Sequence, residues 1–239
     1  MLNPFFELHS KKGVTLMLNQ LADDLWVVHH ENTFIGLNFD ARMTIIRLPD
    51  GSLLLHSPVP ITDSLAVDID RLGAVRHLVA PNLFHHLFVA DAAARWPDAE
   101  VYAPEGIAKK QPDLTVHHTL GTATLPEGVT GISLAGMAPL AETVLFHAPS
   151  ATLVSCDLVL NFTAPKGWWT KTYLSLNGIN GKPGVSKLVA MAAFKDHAAM
   201  RDSLETILAL DFDRLIVSHG DVLESGGQKV LRESFKWMK

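Results

Sequence analysis

The sequence predicts an α+β chain: a β-sandwich with its helices outside. Three observations lead there. Short β-rich runs dominate the first third, residues 52–104 run β-α-β-α-β, and the second half repeats the theme with a hairpin, helices and a closing strand. At 239 residues, with 48% apolar and 19% charged side chains, one domain spanning 1–239 and a sizeable core are expected.

"LWVVHH" (25–30), "MTIIRL" (43–48) and "SLLLHS" (52–57) read as strands, and "PDG" at 49–51 turns the last two into a hairpin. "DSLAVDIDRLG" (63–73) reads as a helix, capped by Thr62 or Asp63 and stopped by Gly73. "VRHLVA" (75–80) is a strand. Asn82 is placed to cap a helix that runs to Trp96, where Pro97 ends it. "EVYAP" (100–104) returns as a strand. "ETVLFH" (142–147) and "ATLVSC" (151–156) form a second hairpin, and 160–184 reads as a long loop or short irregular helices. Residues 186–210 are helical with a break near Lys195-Asp196. "DRLIVSH" (213–219) closes the sheet, and 230–238 is a terminal helix.

The formal net charge of −5 argues against nucleic acid or a membrane surface as partner. No apolar run approaches the roughly 20 residues of a membrane helix. The start "MLNPFFELHSKKG" lacks the pattern of a secretory signal. Cys156 is the only cysteine, which excludes an intrachain disulfide and suits a reducing compartment, so a cytoplasmic protein is expected. Oligomeric state is left open.

Twelve histidines are many for this length. Imidazole ligates metals and carries protons near neutral pH. His85 and His86 follow the strand 75–80, Asp157 follows 151–156, and His219 follows 213–218. Functional groups gather where the strands of such sheets end. Two or three imidazoles and a carboxylate suit zinc first, then iron or manganese. If the two histidines open a helix, its positive end keeps them neutral and able to bind metal. Each taken alone has a plainer reading: a cap, a packed pair or a turn residue.

Several phrases, in order, resemble the metallo-β-lactamase-like hydrolase superfamily: "LLLHSP", "TLVSCDLVLNF" (152–162) and "LIVSHGD" (215–221). "RMTIIRLPDGSLLLHSPVPIT", "RLGAVRHLVAPNLFHH" and "RWPDAEVYAPEG" are similar to one of its uncharacterised branches, a domain-of-unknown-function family. The resemblance spans about residues 25–225 and implies an αββα four-layer sandwich. It implies that Asp157 and His219 stand in ligand places. It also implies losses. Set on the superfamily's H-x-H-x-D-H motif, "PNLFHH" (81–86) puts Pro81 and Leu83 on two histidines, His85 on the aspartate and His86 on the last histidine. Met137, in "AGMAPLAETVLFH", falls where a further histidine belongs.

The expected site therefore holds one divalent metal through His86, Asp157 and His219, with His85 as fourth ligand or general base. His85 and Asp157 are the expected catalytic pair. The reaction would be hydrolysis of a small-molecule ester, lactone, amide or thioester. The other reading is a metal-free member of the fold that acts as a binding or interaction module. His56 is expected to be a donor or proton carrier beside the site, or to bond only its own turn. His147 is expected on the surface. His29, His30, His117 and His118 are expected at strand edges, and His197 within a helix. Strand alternation turns Cys156 away from Asp157 and into the core. Trp168 and Trp169 would line a cleft, cover the core or meet a partner subunit.

Overall fold

The computed structural model describes residues 16–34 and 36–238. The segment "MLNPFFELHSKKG", considered for a secretory signal, lies outside the described residues. In chain order, β1 (Leu18–Ala22) and β2 (Leu25–His30) form a hairpin, and β3 (Thr33–Phe34) with β4 (Leu37–Asn38) a small ribbon. Then come β5 (Ala41–Arg47), β6 (Leu53–His56), α1 (Asp63–Asp70), β7 (Val75–Val79), α2 (Val89–Arg95), β8 (Glu100–Ala103) and β9 (His118–Thr119). The second half holds β10 (Val129–Ser133), β11 (Thr143–His147), β12 (Thr152–Val154), β13 (Leu160–Asn161), α3 (Trp168–Leu176) and β14 (Pro183–Gly184). It closes with α4 (Lys187–Ala193), α5 (His197–Leu208), β15 (Arg214–Ile216) and α6 (Gly227–Ser234).

Two sheets carry the architecture. Seven strands run in the order β1-β2-β5-β6-β7-β8-β9, antiparallel as far as β6 and parallel from there on. Four strands run β10-β11-β12-β15, with β15 parallel to β12. Period-2 alternation sorts the side chains. In β2 and β6, Leu25, Val27 and Leu54 meet Leu145, Val154 and Ile216 of the other sheet. Their neighbours Trp26, Val28, Leu53 and Leu55 turn outward onto Leu65 and Ile69 of α1 and Val89 and Ala92 of α2. On the far side, Val144, Leu153 and Leu215 pack under Met200, Leu204 and Ile207 of α5 and Leu231 of α6. The layers are helix, sheet, sheet, helix, as the resemblance implies. Among the described residues no helix is long and apolar enough to cross a membrane.

The local signals mostly hold. Thr62 caps α1 by accepting from the Leu65 N–H at 3.2 Å. Asp196 interrupts the long helix and caps α5, accepting from Ala198 and Ala199. The segment 160–184 contains a nine-residue helix, α3. One boundary is corrected. The helix expected from Asn82 begins only at Val89. The Asn82 Oδ1 does cap, taking the N–H groups of Phe84 and His85 at 2.8 and 2.7 Å. It caps a turn, however, because the Leu83 N–H is tied to the Leu140 carbonyl. His85 and His86 therefore sit in that turn, and no helix start biases them toward the neutral form.

Leu145 is fully buried between the sheets. Leu145→Ala should cost about 2–5 kcal/mol in urea unfolding, whereas Val67→Ser on the exposed face of α1 should stay within about 0.5 kcal/mol.

Candidate metal centre

Asp157 stands in the loop after β12. The buried Glu142 carboxylate accepts the Cys156 N–H at 2.8 Å and the Asp157 N–H at 3.0 and 3.2 Å, which fixes this loop. Cys156 is fully buried, as alternation predicts, and its Sγ accepts the Ser218 hydroxyl. Asn82, also fully buried, donates its side-chain N–H to Asp157 Oδ2 at 2.8 Å. The same side chain thus shapes the histidine turn and holds the carboxylate.

Three side chains converge. His85 Nε2 lies 3.2 Å from His219 Nε2 and 3.5 Å from Asp157 Oδ2, and His219 Nε2 lies 3.3 Å from Asp157 Oδ1. This is the one group of three or more such side chains with metal-ligand proximity among the described residues. Their side chains keep 9% (His85), 14% (Asp157) and 15% (His219) exposure, so the group is nearly enclosed but reachable.

Each ring is oriented from behind. His219 Nδ1 donates to the Asp40 carbonyl at 2.5 Å. A carbonyl can only accept, so Nδ1 carries the hydrogen and a neutral ring offers the Nε2 lone pair to the group. Phe39 packs edge-on against the same ring. His85 Nδ1 is hydrogen-bonded to Ser57 Oγ at 2.9 Å. Ser57 adopts φ 53, an uncommon conformation for a non-glycine residue that recurs at functional sites. The loop carrying His219 is gripped by Arg42. Its buried guanidinium donates to the carbonyls of Val217 and Gly220. Gly220 itself has φ 91, and a Cβ there would sit 2.1 Å from the Asn161 carbonyl oxygen, so only glycine fits.

The electrostatics agree with the geometry. Burial pushes the Asp157 carboxyl up, but the two histidines outweigh it and hold the group well below the usual carboxylate range. Burial pushes His219 down, and the hydrogen bond and charge of Asp157 more than reverse this. Glu142 is pushed up to about 8, by burial first and then by the Asp157 charge.

His86, expected among the ligands, lies outside this group. Its Nδ1 pairs with the Gln111 amide at 3.1 Å, and it is pushed down to about 4, by burial and then by Lys110. His85, expected as a fourth ligand or base, takes its place. Pro81 and Leu83 make backbone contacts to Thr143 and Leu140, and Met137 is buried in the outer core of the second sheet. His56 is fully buried, and neither ring nitrogen has a hydrogen-bond partner among the described residues. His147, expected on the surface, is buried and bonded to Ser150. Trp168 and Trp169 are exposed. A cavity of about 510 Å³ lies beside His219, lined by Asp40 and Gly220 but by none of the three clustered side chains.

Asn82, Glu142 and Arg42 complete the site without having been read as functional. Arg42 alone left a clear trace: it shares the β5 face of Thr44 and Ile46, so a charge occupies a core-facing position.

Set beside solved structures, the chain has the metallo-β-lactamase fold. It is similar to a metallo-β-lactamase from Pontibacter korlensis, with TM-score 0.61 and 14% identity over 91% of this chain and 99% of that one. A metallo-β-lactamase from Hirschia baltica gives 0.64 and 13% over 94% and 98%. The metal-soaked Flv1 flavodiiron core from Synechocystis gives 0.66 and 13% over 93% of this chain and 60% of that one. At such identities the likeness is one of fold. Residues 22–111 match the family described as domain of unknown function (DUF4336). No curated protein matches the sequence.

Gly220→Ala should lower stability by about 1–3 kcal/mol, and more than Gly51→Ala, whose added Cβ would meet nothing within 4 Å. Urea midpoints of the two variants check this. His56 supplies a pH dependence. Burial, then the His85 charge, pushes it from 6.5 down to about 3. Between those values the unfolded chain binds the proton and the folded chain does not, so stability falls as pH drops below 6.5. His56→Leu should flatten this acid limb by up to ~1.4 kcal/mol per pH unit, read from urea midpoints at pH 7 and 5.

Proposed function

We propose that this chain is a hydrolase working with one divalent metal ion, zinc first among the candidates, held by His85, Asp157 and His219. One observation carries the reading. The two Nε2 atoms stand 3.2 Å apart, each faces its own oxygen of Asp157 (3.3 Å from His219, 3.5 Å from His85), and one ligand atom from each residue lies within 4.8 Å of the other two. Ligands sharing one tetrahedral ion at bonds of ~2.0–2.2 Å stand about 3.3–3.6 Å apart. The donor chemistry fits as well: two imidazoles and an ionised carboxylate, three protein ligands, leave a position open. When bound, the ion would supply Lewis acidity and an activated water.

The chain's own residues have definite parts in this reading. The Asp40 carbonyl holds a hydrogen on His219 Nδ1, so the neutral ring presents Nε2 to the ion. Asn82 holds one oxygen of Asp157, and Glu142 holds its backbone. Asp157, kept ionised, supplies the anionic ligand of the set. The carbonyl substrate is a small molecule of the ester, lactone, amide or thioester class. Pro81, Leu83 and Met137, in places where the superfamily resemblance expects histidines, favour a second reading: a metal-free binding module.

Metal analysis after reconstitution with zinc, iron or manganese separates the two. The parent chain and His86→Ala should each retain about one equivalent, and His85→Ala, Asp157→Ala and His219→Ala should lose it. Substoichiometric metal in the parent chain would sink the metal-dependent reading.

A further inference from the structure

Away from the metal centre, a groove of about 940 Å³ opens between α4, α6 and β14, and it shares no residue with the His85–Asp157–His219 group. We propose that it binds a free long-chain carboxylate, a fatty-acid anion, with the alkyl chain along the floor and the carboxylate among the lysines of the rim.

The floor is apolar and partly bare. Val185, Ala190, Met191, Val230 and Trp237 line it, and Met191 and Trp237 remain 75% and 50% exposed. The Trp237 ring lies nearly parallel to that of Phe194, 6.2 Å away and inclined by 4°. Apolar surface of this kind gains from a hydrocarbon chain. The rim is cationic. Lys182, Lys187, Lys229 and Lys236 surround the groove in a chain whose net charge is −5. Lys236 pairs with Glu233 at 2.7 Å. Among the described residues, the other three lysines have no carboxylate within ion-pair distance.

The shape and charge choose among occupants. The volume lies within the ~300–1,000 Å³ typical of a pocket for one small ligand, mostly apolar with few polar groups. A bilayer surface does not follow a concave groove. A second copy docked by two-fold symmetry would bring one lysine rim against another, which like-charge repulsion opposes. An anionic head on one apolar chain satisfies both floor and rim.

The test is calorimetric titration of the intact chain with dodecanoate below its aggregation concentration. Saturable one-to-one binding is expected, with dodecyltrimethylammonium weaker by about tenfold or more. The double variant Lys182→Glu, Lys229→Glu should weaken dodecanoate about tenfold, and Met191→Asp at its exposed position should do likewise, with circular dichroism unchanged in both. Any of these outcomes overturns the proposal: no saturation with dodecanoate, equal affinity for the ammonium, affinity unchanged in both variants, or binding only to phosphatidylglycerol vesicles or an acidic peptide. Dimerisation that Met191→Asp abolishes, without dodecanoate binding, also overturns it.

Discussion

The Asp157 carboxylate between two imidazoles is the contact on which the candidate centre depends. A carboxylate this enclosed is costly unless each oxygen has a partner. Here one oxygen faces His85 and Asn82, and the other faces His219. The arrangement keeps the charge on Asp157 and turns both Nε2 atoms toward one point. Without it, His85 and His219 would be two unrelated rings at the ends of different strands.

That contact is held by groups drawn from both sheets. Glu142, just before β11, grips the Asp157 loop, and Arg42 on β5 reaches across to the loop of His219. Ser57 accepts an uncommon backbone angle while bonded to His85, and Gly220 allows Asn161 to approach closely. Local strain and buried polar groups thus concentrate around one point. Such groups are retained only where the surrounding structure overdetermines them.

How far this was legible in the sequence depends on what each residue answers to. The strands could be read because Leu25, Val27 and Leu54 obey an alternation set by the backbone alone. The α1 cap could be read because Thr62 bonds within its own turn. Asp157 and His219 stood out because they follow apolar strands. The choice between His85 and His86 could not be read. It is decided by Asn82, Ser57 and Gln111, which converge only after folding. The start of α2 failed for the same reason, since the Leu140 carbonyl holds Leu83 in a turn. Glu142 gave no sign, because a glutamate at a strand's beginning ordinarily meets water, and here it meets backbone amides.

His85 and His219 lie 134 residues apart in the chain yet have touching rings. His85 follows a strand of the seven-stranded sheet, while Asp157 and His219 follow strands of the four-stranded one. An ion seated among them would therefore act as a clasp across the sandwich. An unfolded chain cannot offer three ligands so distant in sequence together, so the ion would bind the native state alone. Thermal resistance would then rise with the free ion concentration, by mass action, even at concentrations where no substrate is turned over.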